Sequence, residues 1–367
     1  MDIHFNAYKC KYESMTQWIQ PHIRSRSVKS VRIFINLDDF FHTLFKPSTN
    51  NEFEACGNTA SKQFLSNVFN LIAHYRWWAI KSRFDVEVYA YYSDSNAYHN
   101  GIYLDEYRKK ASDYLVENKY YYVKEAIKDS LDMIKAIGDY IPGVYIINSL
   151  HIEPSVIPGY IASTKPNVDL NILISRDIYD LQYAYKEKWV FISPKGDNSS
   201  FVHRDNMWEY INYKEKIFSE KRDVHYPYKM LILARAIVGD KYRNIPRLRS
   251  IGWKTLFKYL DKIQEDMNDN SYIVLEMRLR DLLKGKLVEE SKLQKNINCI
   301  DIDFQVNTMT EIDKTIIDRQ IVDIEDFENL KMLNKMKLSS YPLNLKFLCD
   351  NLVAPVNLKV DQWYNIK

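Results

Sequence analysis

Short apolar runs that are followed at once by polar residues constrain the fold of this chain more than any other feature. Four such runs, rich in Val and Ile, occupy residues 31–35, 84–90, 143–147 and 170–174. Helical patterns, such as those at 61–81 and 124–137, lie between them. Strands that alternate with helices predict an α/β fold built on a parallel sheet.

The polar residues after these runs indicate where a functional site should lie. They occupy residues 36–39, 92–94, 151–155 and 175–180. Open α/β sheets bind their ligands outside the carboxyl ends of the strands. We therefore expect these four loops to form one crevice that carries the function.

Composition and charge exclude several classes of protein. Lys and Arg number 51 against 48 Asp and Glu, so that affinity for nucleic acid depends on where the charges lie. The four cysteines are too far apart for a zinc knuckle, and their low density predicts free thiols inside a cell. Since no apolar run reaches the ~20 residues that a bilayer requires, we expect no association with a membrane.

The pattern divides the chain into three parts. Strand signals fade from residue 226 onward, where helical patterns dominate. We expect an N-terminal extension at 1–29, an α/β domain at 30–225 and a helical region at 226–367. The α/β domain should hold the chemistry, because it contains the strand ends.

A basic loop near residue 240 carries most of the remaining information. A helix is expected to end at Gly239, and a second helix to open at 251–255. Residues 241–260 contain no acidic residue but six basic ones: Lys241, Arg243, Arg247, Arg249, Lys254 and Lys258. The loop exposes helix N-terminal amides beside these cations, which favours phosphate binding. A solvated basic helical hairpin is the alternative interpretation.

At this loop the sequence resembles the 5′-nucleases, which include flap endonucleases, polymerase-associated 5′–3′ exonucleases and phage RNase H-type enzymes. The match to their helix-three-turn-helix motif is carried by Gly239-Asp240, Asn244-Ile-Pro246 and Ile251-Gly252-Trp-Lys254-Thr255. Segments 33–41, 103–110, 173–182 and 317–323 are also similar to segments of the family, in the same order. The resemblance thus extends over residues 30 to 350.

The resemblance implies both a fold and a chemistry. The fold is a PIN-like parallel sheet with flanking helices, followed by a C-terminal helical region that carries the helix-three-turn-helix motif. An arch or clamp for single-stranded DNA is implied near 95–135. Clustered carboxylates in such enzymes hold two Mg²⁺ or Mn²⁺ ions, and the helix-three-turn-helix turn binds a monovalent cation.

Several metal-ligand positions of the family are changed in this chain. Carried over residue by residue, the first Asp falls on Asn36, one member of an Asp pair falls on Tyr179, and the partner of Asp240 falls on Arg243. An arginine there places a fixed positive charge where a metal ion is expected. The implied catalytic and metal-binding residues that remain are Asp177 and Asp240.

The carboxylates admit other interpretations. A rearranged metal cluster would add Asp38, Asp39, Asp94, Glu153 and Asp180. Without a metal, Asp177 would be a helix N-cap. Asp240 would then be a loop carboxylate paired with Lys241 or Arg243.

The expected partner is duplex, flap or fork DNA. The resemblance and the basic loop assign the contacts to Lys241, Arg243, Arg247, Arg249, Gly252, Lys254 and Thr255, and to Tyr107, Arg108 and Lys109 of the arch.

Three hypotheses follow: a catalytically impaired DNA-binding protein, an active Mg²⁺- or Mn²⁺-dependent nuclease with a rearranged carboxylate cluster, and a structural or virion-associated scaffold. Similarity to phage members implies a setting in a virus-infected cell.

Overall fold

The structure is a computed structural model of the 367-residue chain. It describes residues 28–39, 84–92, 143–150, 152–193, 200–202, 204, 206–217, 226–240, 243, 245–267, 272–283 and 287–321, with scattered positions between 68 and 79 and between 131 and 141. The arch region expected near 95–135 lies almost wholly outside the described residues.

A six-stranded sheet forms the centre of the α/β part. Its strands are β1 (Ser30–Asn36), β2 (Asp85–Tyr92), β3 (Val144–Asn148), β4 (Leu170–Ile174), β5 (Trp189–Ser193) and β6 (Ser200–Val202). They lie in the order β3-β2-β1-β4-β5-β6, with β6 antiparallel to β5 and the other pairs parallel. The predicted parallel α/β sheet is confirmed, since β1 to β4 are the four apolar runs.

Helices surround the sheet and form the part of the chain after residue 226. Among the described residues, the α-helices with defined ends are α1 (Ile157–Thr164), α2 (Met207–Glu215), α3 (Met230–Val238), α4 (Trp253–Met267), α5 (Tyr272–Leu283), α6 (Leu287–Ile300), α7 (Ile302–Asn307) and α8 (Glu311–Asp318). The described positions between 68 and 79 and between 131 and 138 are also helical. Short 3₁₀ helices at Leu37–Asp39, Pro154–Val156 and Tyr179–Tyr185 follow β1, β3 and β4. No helix in the described ranges is both long and apolar enough to cross a bilayer.

Aromatic rings pack in a row across the sheet. Tyr145 of β3 stacks on Tyr89 at 4.6 Å, and Tyr89 stacks on Phe34 of β1 at 5.4 Å, both between ring centroids. The row continues through Trp189, whose ring lies 5.5 Å from Phe34 and 4.4 Å from Tyr183. Large buried rings of this kind dominate core energetics, so that the row ties the central strands to the segment that follows β4.

Buried side chains join the helical part to the segment that follows β4. Tyr179 donates from its hydroxyl to the backbone oxygen of Cys299 at 2.9 Å. Gln182 donates to Ile300 O at 2.6 Å and accepts from Ile302 N at 3.2 Å. These bonds link the end of α6 and the start of α7 to the segment after β4, next to the site.

Candidate functional site: carboxylates gathered around an arginine

The loop that follows β4 carries two carboxylates at the carboxyl end of the sheet. Ser175 Oγ accepts a hydrogen bond from Asp177 N at 3.0 Å and donates one to Asp180 Oδ2 at 2.6 Å. Asn36, at the end of the adjacent β1, donates from Nδ2 to the same Asp180 oxygen at 3.3 Å. Asp180 is fully buried. Its carboxylate is therefore held by polar neighbours of the two central strands.

Asp177 bonds to backbone through one oxygen and to an arginine through the other. Its Oδ1 accepts from Tyr179 N at 2.9 Å, which is the local turn that Asp side chains favour. Its Oδ2 accepts from Arg243 Nη2. The N-cap interpretation of Asp177 is wrong, because the N-cap of the 3₁₀ helix is Ile178. The Asp177 side chain instead forms a turn just before that helix and belongs to an ionic cluster.

Arg243 occupies the centre of a cluster of three carboxylates. Besides the bond to Asp177, its Nη1 donates to Asp240 Oδ2 at 3.3 Å. Its Nη2 lies 3.8 Å from Oε1 of Glu153, which precedes the 3₁₀ turn after β3. The guanidinium carbon stands 4.2 Å from the ring centroid of Tyr179, in cation–π geometry. One guanidinium therefore contacts acidic groups from three separate loops.

A tightly constrained loop after α3 delivers Asp240 and Arg243 to this position. Gly239 has φ +76, and a Cβ there would come within 2.5 Å of the backbone oxygen of Ile245. Asp240 and Ile245 form an antiparallel bridge, with N–O distances of 3.0 and 2.8 Å. The backbone N–H of Arg243 donates to Asp240 Oδ1 at 3.1 Å. The loop thus places both charged side chains on the cluster side.

A buried asparagine of α6 bonds to both ends of the same loop. Asn296 Nδ2 donates to Ala236 O at 2.7 Å and to Pro246 O at 2.8 Å. These two oxygens belong to the end of α3 and to the far side of the loop. Because the amide is buried and bonds to both, it holds the two ends of the loop together.

A second arginine borders the cluster. Arg235 of α3 donates from Nη2 to Asp240 Oδ2 at 2.6 Å, and its Nη1 lies 3.9 Å from Glu215 Oε1. It is the one charged residue in an otherwise apolar helix, MLILARAIV. Asp240 therefore lies between two guanidinium groups.

The arginines determine the ionisation of the carboxylates. Burial raises the pKa of Asp177, but the charge of Arg243 and its hydrogen bond outweigh burial and lower that pKa to about 2. Burial is likewise outweighed at Asp240 by Arg243 and Arg235, and its pKa is lowered. Burial dominates at Glu215, where the pKa is raised. Asp177 and Asp240 are thus ionised near neutral pH.

The donor set does not suit a divalent ion in this arrangement. A pair of Mg²⁺ ions needs several anionic oxygens around each ion. Here a guanidinium lies at the point where Glu153, Asp177 and Asp240 converge. In the described part of the chain, no group of three or more His, Cys, Asp or Glu side chains is placed to hold a metal.

The other predicted metal ligands have different surroundings. Asp38 lies in the turn after β1, where its N–H donates to Asn36 Oδ1 at 3.2 Å. Asp180 is bonded to Ser175 and Asn36, as above. The side chain of Asp39 and all of Asp94 lie outside the described residues. The roles of these four residues, and the metal-binding roles of Asp177, Asp240 and Glu153, stay predictions.

A cleft of about 810 Å³ opens next to the cluster. Among the described residues that line it, the cationic ones are Arg176, Lys214, Arg235, Arg243 and Arg247. The acidic ones are Asp177, Glu215 and Asp240. Five cations against three carboxylates give the lining an excess of two positive charges. An anionic ligand such as a phosphate suits such a cleft.

The basic loop continues from the cleft to the start of α4. Arg247, Arg249, Lys254 and Thr255 are exposed, and Gly252 is half-buried. Arg249 and its successor Ser250 have φ of 44 and 57, so that the backbone turns sharply just before α4. The predicted helix end and helix start on either side of the loop are confirmed, while its designation as a helix-three-turn-helix element stays a prediction.

The remaining predicted DNA contacts are placed differently. Arg243 is buried, with 6% of its surface exposed, and its guanidinium is directed into the carboxylate cluster. Lys241, Tyr107, Arg108 and Lys109 lie outside the described residues. Among the predicted DNA contacts that the structure describes, the exposed cations lie in the loop and at the start of α4.

Three residues of the site carry no assignment from the sequence pattern. Arg235 could have been found, because a lone arginine within an apolar helix predicts a buried counter-charge. Glu215, at the end of α2, and Asn296, in the middle of α6, give no such local signal. Their roles depend on how distant helices pack.

Solved structures of bacteriophage T5 proteins share this fold. A T5 5′-exonuclease with bound zinc aligns over 83% of this chain and 98% of its own, with 14% identity and a TM-score of 0.54. T5 D15 protein crystallised with metal ions gives the same coverage and identity, with a TM-score of 0.51. A variant T5 D15 flap endonuclease in a pseudo-enzyme–product complex with DNA and metal ions shows 15% identity and a TM-score of 0.51, also over 83% and 98% of the two chains.

Comparisons that use the sequence alone find no match. No family model matches the chain, and no curated protein matches it. The resemblance to 5′-nucleases is thus confirmed at the level of the fold, which the chain shares with the T5 5′-exonuclease.

Proposed function

We propose that this chain is a DNA-binding protein that uses a 5′-nuclease fold to hold duplex or branched DNA by its phosphates and does not cut it efficiently. The basic loop and α4 supply the DNA contacts. The carboxylate cluster supplies a stable, ionised centre. Cleavage by a two-metal mechanism is impaired by the residue that occupies that centre.

The observation that carries this proposal is the position of the Arg243 guanidinium. Two-metal hydrolysis needs ions that activate a water and stabilise the leaving oxygen. A guanidinium neutralises carboxylates as an ion does, but it has no open coordination position for a water. With Arg243 bonded to Asp177 and Asp240, these two carboxylates are engaged with a cation that cannot perform that chemistry.

The exposed part of the basic loop supports the binding half of the proposal. Arg247, Arg249, Lys254 and Lys258 are exposed around the start of α4. Cations beside a helix N-terminus favour phosphate groups. Contacts of this kind position the DNA backbone without reading its sequence. One structural neighbour, the variant T5 flap endonuclease, was itself solved as a complex with DNA, which is consistent with the proposal.

The test measures binding and cutting on one substrate. A fluorescently labelled 5′-flap duplex is titrated with the protein in Mn²⁺, its anisotropy is followed over a range of salt concentrations, and the DNA is then run on a denaturing gel. We expect salt-sensitive binding and intact DNA. The substitution Arg247→Gln should weaken binding. The matched control is Lys29→Gln, since Lys29 is exposed at the amino end of β1, opposite the cleft.

Each other result selects a different function. Cutting in Mn²⁺ would favour an active nuclease with a rearranged carboxylate cluster. Neither binding nor cutting at moderate salt would favour a structural or virion-associated scaffold. Equal loss of affinity in Arg247→Gln and Lys29→Gln would remove the basic loop as the DNA-binding surface.

A further inference from the structure

We propose that Arg243 is a built-in substitute for a metal ion, and that removing its guanidinium opens a divalent-cation site formed by Glu153, Asp177 and Asp240. In the native protein the arginine holds these carboxylates together without any ion. In a variant that lacks the guanidinium, Mn²⁺ or Mg²⁺ takes its place. The inference concerns the same site as the proposed function but does not depend on DNA binding.

The geometry shows three acidic groups that converge on one cation. Arg243 bonds to an oxygen of Asp177 and lies 3.3 Å from Asp240 Oδ2. Its Nη2 also lies 3.8 Å from Glu153 Oε1. The three carboxylates come from the loops after β3, β4 and α3, so that no local turn explains their approach. The guanidinium is what they share.

The surroundings fix the guanidinium in this position. Its π-face lies over the Tyr179 ring, and its own backbone N–H is bonded to Asp240 Oδ1. Gly239 and Asn296 hold the loop that carries it. An arginine is always charged, and its planar donors meet carboxylates in a fixed geometry. The cluster therefore needs no added ion in the native protein.

Loss of the guanidinium would leave an excess of buried negative charge. Glu153 and Asp240 are both more than nine-tenths buried. Arg235 would still pair with Asp240 and its charge would still lower the pKa of Asp177, but this one guanidinium would then face three carboxylates. Buried carboxylates without a counter-charge are strongly unfavourable, and either protons or a cation must compensate them.

A hard divalent ion suits the space that would be left. Carboxylate oxygens are the ligands that Mg²⁺, Mn²⁺ and Ca²⁺ prefer. Truncation to alanine removes the side chain between the three carboxylates and leaves room for an ion with its waters. The cleft next to the cluster gives such an ion a route from solvent.

The experiment compares metal-dependent stability and direct metal binding in variants without DNA. Melting temperatures of the native protein, Arg243→Ala and Arg278→Ala, an exposed arginine of α5 outside the site, are measured in EDTA, Mg²⁺ and Mn²⁺, and bound Mn²⁺ is counted by electron paramagnetic resonance. We expect the native protein to have one melting temperature in all three solutions, and Arg278→Ala to show the same. Arg243→Ala should melt lower in EDTA, recover part of the loss in Mn²⁺, and bind Mn²⁺ at least tenfold more tightly than the native protein.

Two further variants test the proposal if Arg243→Ala does not fold and identify the metal ligands. Arg243→Gln retains most of the side-chain volume without the charge and is used if Arg243→Ala does not fold. Adding Asp177→Asn to either variant removes one proposed ligand and should abolish the gain from Mn²⁺. The proposal is overturned if neither Arg243→Ala nor Arg243→Gln gains stability or affinity from Mn²⁺. It is also overturned if the native protein binds Mn²⁺ at this cluster as tightly as these variants do.

The outcome is separate from that of the proposed function. This inference alone would be contradicted if the native protein binds flap DNA and the Arg243 variants do not bind Mn²⁺. The proposed function alone would be contradicted if the Arg243 variants bind Mn²⁺ and the native protein does not bind DNA.

Discussion

Arg243 and Asp177 stand 66 residues apart in the sequence, yet their side chains form an ion pair at the carboxyl end of the sheet. Asp177 follows the central strand β4, and Arg243 belongs to the loop between α3 and α4. The pair therefore joins the α/β part to the helical part at the place where open α/β sheets carry their function.

The contribution of Arg243 to stability is the first prediction. Arg243→Ala should lower the free energy of unfolding by about 3–5 kcal/mol, because it leaves buried carboxylates without their counter-charge. Urea unfolding in EDTA measures the effect. Arg278→Ala, an exposed change on α5 away from the cluster, should stay within about 0.5 kcal/mol of the native value. A small effect at Arg243 would show that the ion cluster contributes little.

The ion pair also predicts a particular dependence of stability on pH. The pKa of Asp177 is lowered from 3.8 in the unfolded chain to about 2 in the fold. Its contribution, about 2 kcal/mol, is therefore present above pH 4 and is lost as the pH falls from about 4 to about 2. Unfolding free energies measured across this range should fall more steeply for the native protein than for Asp177→Asn. Parallel curves would contradict the assignment.

The conformation of the loop that carries Arg243 should depend more on Gly239 than on Gly252. Gly239 has positive φ, and a Cβ there would meet three backbone atoms at 2.5 to 2.9 Å. Gly239→Ala should cost about 1–3 kcal/mol of unfolding free energy. At Gly252 a Cβ would meet only the Arg247 side chain, at 3.5 Å, so that Gly252→Ala serves as the control and should cost less than about 0.5 kcal/mol. Equal costs would mean that the backbone at Gly239 can relax.

The basic loop predicts a change in the salt dependence of DNA binding. Each lost phosphate contact reduces the slope of log affinity against log salt by about 1. Arg247→Gln and Lys254→Gln should each do so and weaken binding to any sequence to a similar degree. Fluorescence anisotropy at several salt concentrations measures the slopes. Unchanged slopes in both variants would place the DNA elsewhere.

The sequence predicted the central strands and the location of the site. The apolar runs of β1 to β4 are buried strands, and the loops after β1, β3 and β4 lie close together around Asn36, Asp177 and Glu153. The loop after β2 lies outside the described residues beyond Tyr92. The loop motif correctly placed the end of α3 at Gly239 and the start of α4 near Gly252. These features depend on local patterning, which a single sequence records well.

What the sequence left open depends on packing between distant segments. The contact of Glu153 with Arg243 joins residues 90 positions apart, and no spacing rule predicts it. The roles of Asn296 and Glu215 depend on how α6 and α2 pack against α3. The strands β5 and β6 are not among the predicted ones. β5, Trp189–Ser193, is an apolar run followed by Pro194 and Gly196 and carries a strand signal, whereas β6 has only three residues and gives none.

The central claim is that Arg243 replaces catalytic metal ions in a fold that binds DNA. An end-labelled 5′-flap duplex incubated in Mn²⁺ with the native protein, and with Asp177→Ala/Asp240→Ala as the reference, tests it on one denaturing gel. The account predicts uncut DNA with the native protein, at concentrations that retard the same substrate on a native gel. Cutting by the native protein that disappears in the double variant would contradict it, because the carboxylates would then form a working metal site.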